Sequence, residues 1–395
     1  MTRDQLRNAE TEVLRNSLDR VLVIDADVHH LDVIPHLTPY MDPFWRQAIE
    51  SAGDPGVKYI GDRSLAWRIQ RTSKQKPGGW PPLSQGSRPP AQITRLVSEL
   101  TRIGVDYSIL FPNDMLTLAL YPQAELEVAV AKAYARWATE EVLPYEPRIW
   151  SMLYLPFSDP KTSLQLVEEF GSKSGVVGFL VTGNRNERIH HNEWMPVFAA
   201  LEERNLTLGF HAVGYWGIRP FNMFDTFLTA HSLSFPIYNA IHLFNLVLGG
   251  VAERFPDLRI VFFEAGAAIM PLLMARLDTA FMMRPSEAPL LKKKPSEYMK
   301  EFFYTIQPIE NPDKPGQLQA IFDAIGRKQI LFATDYPHWD CDMPGAISEL
   351  GFLSQSDQED IFHGNAIRAF DLDLEGLTMT DWKKSLGGAA GRGKT

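Results

Sequence analysis

Val21-Leu22-Val23-Ile24-Asp25-Ala26-Asp27-Val28-His29 begins as an apolar run and ends on a carboxylate and an imidazole two positions apart. A short, β-branched run of this kind reads as a strand. Side chains alternate across a strand, so Asp27 and His29 point the same way, with Asp25 on that face and His30 on the other. Seven further apolar runs follow, at 105–111, 149–155, 176–181, 206–210, 258–263, 301–306 and 329–334. Helical spacing fills the gaps between them, over 125–143 (stopped by Pro144), 194–204, 239–254, 267–279, 315–326 and 357–370. Strand then helix, repeated, predicts parallel strands joined by crossover helices. The runs lack clean alternation, as strands covered on both faces do. The expected fold is therefore α/β, a (β/α)8 barrel of the TIM type, whose strand C-termini all open on one rim.

That geometry gives meaning to what ends each run. Asp27 and His29 end the first, His211 the fifth, Glu264 the sixth and Asp335 the eighth. On a common rim these five meet around one centre. Each also has a plainer reading. Asp27 and His29 can form a hydrogen-bonded pair in a polar core. His211 can be a satisfied rim residue. Glu264, directly after Val261-Phe262-Phe263, needs compensation for a buried charge, which a metal or an arginine such as Arg276 can supply. Asp335 can cap the turn made by Tyr336-Pro337. The strand-end placement of all five favours a metal site, with His338 and Asp340 on the same loop as substrate or second-ion contacts. His190 and His191 are expected at the surface, and His231 and His242 in packing. An all oxygen and nitrogen donor set suits zinc, manganese or iron(II), as one ion or two.

Two stretches break the rhythm, and both are expected on the rim as lids, binding walls or subunit contacts: 32–91, and 214–238 with Tyr215, Trp216, Phe221, Met223, Phe224 and Phe227. The organisation expected is a helical arm over 1–20, a barrel domain over 21–372, and a tail over 373–395 whose glycine-rich end, 383–395, reads as disordered or partner-dependent. A net charge of -9 argues against a nucleic-acid partner. No run approaches the ~18 apolar residues of a membrane span, and the first 20 residues are too polar for a secretory leader. A single cysteine, Cys341, rules out intrachain disulfides and Cys-rich zinc sites and fits a cytoplasmic protein. A homo- or hetero-oligomer is expected.

Together, Asp27-Val28-His29, Phe262-Phe263-Glu264-Ala265-Gly266, Arg276-Leu277-Asp278, Thr334-Asp335-Tyr336-Pro337-His338 and Gly364-Asn365-Ala366 resemble the amidohydrolase-related family. This is the branch of the amidohydrolase superfamily that contains aminocarboxymuconate-semialdehyde and resorcylate-type decarboxylases. The resemblance implies metal ligands at Asp27, where the family usually has the first histidine of His-x-His, and at His29, His211 and Asp335. It implies that Asp335 handles protons. Where decarboxylases of the family commonly carry a catalytic histidine after strand six, this chain has Glu264. No lysine follows strand four, so the carbamylated-lysine bridge of some dinuclear relatives has no counterpart.

The expected activity is metal-dependent hydrolysis or non-oxidative decarboxylation of a small organic, carboxylated substrate. Asp335, Glu264 and His338 are the catalytic candidates, and Arg68, Arg185 and Arg219 are candidate carboxylate clamps. The alternatives are a non-haem iron or manganese oxygenase on the same fold, and a catalytically idle partner subunit of such an enzyme.

Overall fold

The apolar runs fold as eight strands: β1 Ile24–His30, β2 Tyr107–Pro112, β3 Ile149–Tyr154, β4 Val176–Thr182, β5 Thr207–His211, β6 Ile260–Phe263, β7 Phe303–Thr305 and β8 Ile330–Leu331. The computed structural model describes residues 8–30, 37–52, 90–120, 123–182, 188–213, 221–310, 312, 314 and 316–390. The strands pair in chain order, each parallel to the next. β8 returns to β1 through backbone hydrogen bonds from Ala26 N to Phe332 O (3.0 Å), Asp335 N to Asp27 O (3.0 Å) and His29 N to Tyr336 O (2.8 Å). The sheet is thereby a (β/α)8 barrel, as expected.

Helices form where apolar residues repeat at helical spacing. Ala91–Arg102 buries Ile93, Leu96 and Leu100 along one stripe. Pro160–Phe170 starts on Asp159, whose carboxylate accepts from Thr162 N at 3.0 Å, with proline in the first helical position. The strands feed two cores. Phe179, Val181, Phe210, Phe262 and Phe332 pack outward against the helices. Ile109, Phe111, Met152, Leu180, Val261, Phe263 and Leu331 fill the barrel. Burying each such side chain contributes about 2 kcal/mol. Gly178 and Gly209 make room for Met152 at the centre: a Cβ on either would lie 2.9 or 2.8 Å from its Cε.

Three expectations need correction. In β1 the register shifts between Asp25 and Val28, so Ala26 and Asp27 together oppose the single Ile109 of β2. Such an irregularity breaks the alternation. Ile24 and Ala26 join the barrel interior, and Asp25 does not share the face of Asp27 and His29. Its Oδ1 instead accepts from Thr334 N (2.9 Å) and Asp27 N (3.1 Å), and its Oδ2 from Thr334 Oγ1 (2.5 Å). Second, the helix expected from 239 begins at Phe227 and runs to Leu248 through Pro236. Half of the 214–238 insertion is therefore helix. Third, Asp381–Ala390 is a helix rather than loose chain. Its Lys383 is fully buried, because Asp106 supplies the opposite charge. Residues 391–395 lie outside the described residues, as does most of the 32–91 insertion, of which Thr38–Tyr40 and Pro43–Ala52 are helical.

Candidate metal centre

At the C-terminal mouth of the barrel four elements meet. His29 Nε2 lies 3.1 Å from Asp27 Oδ1 and 2.9 Å from Asp335 Oδ1. His211 Nε2 lies 3.3 Å from His29 Nε2, 3.4 Å from Asp27 Oδ2 and 3.5 Å from Glu264 Oε2. Asp27, His29, His211 and Asp335 are completely buried and Glu264 nearly so. Phe111 and Phe263 floor the site, with ring centroids 6.1 Å from His29 and 5.9 Å from His211 respectively.

The local structure aims these groups. His211 Nδ1 donates to Ala212 O at 2.6 Å, which leaves its Nε2 lone pair facing inward. Glu264 and Asp335 both have positive φ, 49° and 57°. Non-glycine residues rarely adopt that conformation, and it is costly unless the surroundings impose it. Here they do: Glu264 N donates to Thr305 Oγ1 at 3.0 Å, and Asp335 N donates to Asp27 O at 3.0 Å. His338 Nδ1 lies 2.6 Å from Asp335 Oδ1, and its Nε2 lies 2.9 Å from Asn113 Oδ1.

Burial alone would raise the Asp335 carboxyl, but the imidazoles of His338 and His29 outweigh it and hold the group well below the usual carboxylate range. Asp27 is likewise lowered, because His211 and His29 overcome its burial. Burial would lower the His29 imidazole, yet Asp27 and then Asp335 raise it to about 9. Two buried carboxylates thus crowd one imidazole, a concentration of negative charge that a divalent ion would offset.

Among the described residues, Oδ2 of Asp335 and Nδ1 of His29 make no hydrogen bond, and the two oxygens of Asp27 meet only the ring nitrogens of His29 and His211, at 3.1 and 3.4 Å and outside good hydrogen-bond geometry. Leaving such groups buried and unsatisfied costs about 1–3 kcal/mol each, more when charged. One ligand atom from each of Asp27, His29 and His211 lies within 4.8 Å of the others, and the same holds for His29, Asp335 and His338. Anionic oxygens and imidazole nitrogens converging at this range fit a divalent ion.

Other expected residues fall elsewhere. Arg276 is exposed on the helix Met270–Met283. Arg68, Arg185, Arg219, Tyr215 and Trp216 lie outside the described residues. His231 Nε2 lies 3.4 Å from Asp340 Oδ2 on the loop after His338. His242 packs between Phe157 and Phe210, and His191 is exposed with His190 partly so. Asn113 was not expected. It ends β2 as the others end their strands, so a search for any polar residue after an apolar run, rather than for metal ligands alone, would have found it.

The family model for amidohydrolases matches residues 104–372, and the chain belongs to that family and is an enzyme. It is 22% identical over 283 residues to the 2-amino-3-carboxymuconate-6-semialdehyde decarboxylase of Dictyostelium discoideum, covering 70% of this chain and 76% of that one. To the gamma-resorcylate decarboxylase of Rhizobium radiobacter it is 24% identical over 281 residues, covering 68% and 84%. Among solved structures, 5-carboxyvanillate decarboxylase from Sphingomonas paucimobilis has a TM-score of 0.67 at 20% identity, covering 89% of this chain and 100% of that one. The same enzyme from Novosphingobium aromaticivorans, solved with manganese, has a TM-score of 0.65 at 19% identity, covering 90% and 97%. At this level of identity the structural likeness establishes the shared barrel. No helix among the described residues is long and apolar enough to cross a membrane.

Proposed function

We propose that this enzyme is a metal-dependent, non-oxidative decarboxylase of a small carboxylated aromatic compound, with one divalent ion held by Asp27, His29, His211 and Asp335. The main support is the convergence of buried carboxylate oxygens and imidazole nitrogens at the mouth, where Asp27 has no hydrogen bond of good geometry among the described residues. The named relatives are decarboxylases, which favours this activity over hydrolysis, oxygenation or an idle partner subunit. Manganese in a related structure supports manganese, with zinc or iron(II) compatible with the same donors.

A bound ion would polarise a substrate carboxylate or phenolic oxygen and lower the pKa of bound water. The chain's own groups do the rest. Decarboxylation breaks the bond between the ring carbon and its carboxyl carbon, CO2 departs, and the electron pair left on the ring takes a proton. We assign that transfer to Glu264 and to the His338 imidazole, whose Nδ1 donates to the Asp335 carboxylate beside it. Phe111 and Phe263 give the ring an apolar floor and exclude water. The His338 contact with Asn113 fixes the imidazole plane beside Asp335. The single cysteine supports a cytoplasmic location, and exposed Leu228, Ile241, Leu272 and Met283 support self-association.

The test is metal analysis of purified protein together with CO2 release from a panel of hydroxylated aromatic acids under nitrogen. One divalent ion per chain and anaerobic CO2 release are expected. Oxygen uptake without CO2 release would overturn the proposal.

A further inference from the structure

Thr182 ends β4 and is the register partner of His211 on β5. Register partners on parallel strands project to the same face. The parity of β4 agrees: Leu180 lies in the barrel interior, while Phe179 and Val181 lie in the outer core. Thr182 therefore faces the interior beside His211. It is completely buried, and its hydroxyl makes no hydrogen bond to any described residue. A hydroxyl rotates freely to find a partner, so one left bare in a buried polar site is costly.

On the other side of His211 stands Phe263, its register partner on β6. Phe263 O accepts from Asn239 Nδ2 at 2.7 Å, which fixes the orientation of the Asn239 amide. Asn239 is also completely buried, and its Oδ1 has no hydrogen-bond partner among the described residues. Thus a bare hydroxyl and a bare amide oxygen stand on the strands and helix flanking one imidazole. The first can donate to an oxygen of a ligand. The second can only accept, and so calls for an O–H or N–H on that ligand.

We propose that Thr182 is a substrate-contacting specificity residue, whose hydroxyl donates to a substrate oxygen beside His211, with Asn239 accepting from a second, protic substituent. This rests on the decarboxylase reading and names the groups that orient its substrate. The orientation matters because the bond to be broken must be held in one geometry against the reacting groups.

The experiment compares Thr182→Val, which keeps shape and removes the hydroxyl, with Thr182→Ser, which keeps the hydroxyl. Each is loaded with manganese and titrated calorimetrically with 2-hydroxybenzoate and with whichever panel acid the wild type turns over. The valine variant is expected to keep wild-type manganese content and melting temperature but to bind tenfold or more weakly. The serine variant is expected to stay within about threefold of wild type. Asn239→Leu, which removes the accepting oxygen, is expected to lose the preference for a hydroxylated ring over the same acid without the hydroxyl, and an unchanged preference would remove Asn239 from the proposal. A valine variant that binds and turns over like wild type overturns the inference while the decarboxylase reading stands. A valine variant that loses manganese overturns it too, because the hydroxyl would then serve the ion. If no aromatic acid binds the wild type at all, the decarboxylase reading falls and this inference with it.

Discussion

The two ends of the barrel bury charge in opposite ways. At the base, Asp106 Oδ2 accepts from Lys383 Nζ at 2.6 Å and from Val23 N at 3.0 Å, and its Oδ1 accepts from Thr380 N at 2.7 Å. Lys383 Nζ spends its other protons on Val21 O and Gly104 O, at 2.7 and 2.9 Å. Each of these carboxylate oxygens has a donor. At the mouth, Asp27 is just as buried, yet among the described residues its oxygens meet only the imidazoles of His29 and His211, in poor hydrogen-bond geometry. The base is finished within the chain, joining the C-terminal helix to the strand entrances. On the proposed function, the mouth is completed by a divalent ion. Equal burial therefore separates structure from function less well than satisfaction of the buried atoms does.

The sharpest break between the two ends should come from Asp335→Asn. Loss of an ion worth several kcal/mol of charge stabilisation corresponds to about a thousandfold or more in kcat/KM. Manganese content should fall with it, and so should the metal-induced rise in melting temperature. An Asp335→Asn enzyme of full activity would show that the mouth is as structural as the base. Lys383→Met should do the converse. It strands Asp106 in the interior and should cost about 3–5 kcal/mol by urea unfolding, with manganese content and kcat at 25 °C unchanged. If activity fell more than stability, the base would not be separate from the site.

A smaller effect distinguishes Asp25, which lies between the two ends. Burial raises its carboxyl to about 7, with Asp27 adding to the rise, while bonds from Thr334 and Asp27 oppose it. The folded pKa lies above the ordinary 3.8, so between the two the folded state holds a proton that the unfolded state has lost. Stability from this group is full below about 4 and declines as pH rises toward 7. In metal-free protein, the stability of Asp25→Asn relative to wild type should therefore increase between pH 5 and pH 8, by on the order of 2–3 kcal/mol. A gap that stays constant with pH would show that Asp25 is charged throughout.

The cadence of apolar runs located all eight strands because a strand buried on both faces writes its burial into consecutive residues. Each ligand candidate was legible for the same reason: a charge at the end of such a run stands out. Asn113 and Thr182 were not, because an amide or a hydroxyl after an apolar run is common in turns. The tail misled because Gly387-Gly388 and Gly391 read as loose chain, while the stability of that helix comes from Lys383 reaching Asp106 across 277 positions.

The chain by itself settled the barrel, its strand order and the five residues carried to its rim, since hydrophobic period and residue type are local properties. Only the folded molecule decided that β1 slips its register and removes Asp25 from the site. The fold alone also decided which buried oxygens go unsatisfied. Both depend on distances between residues far apart in sequence, and those distances are set by barrel closure and packing rather than by any local pattern.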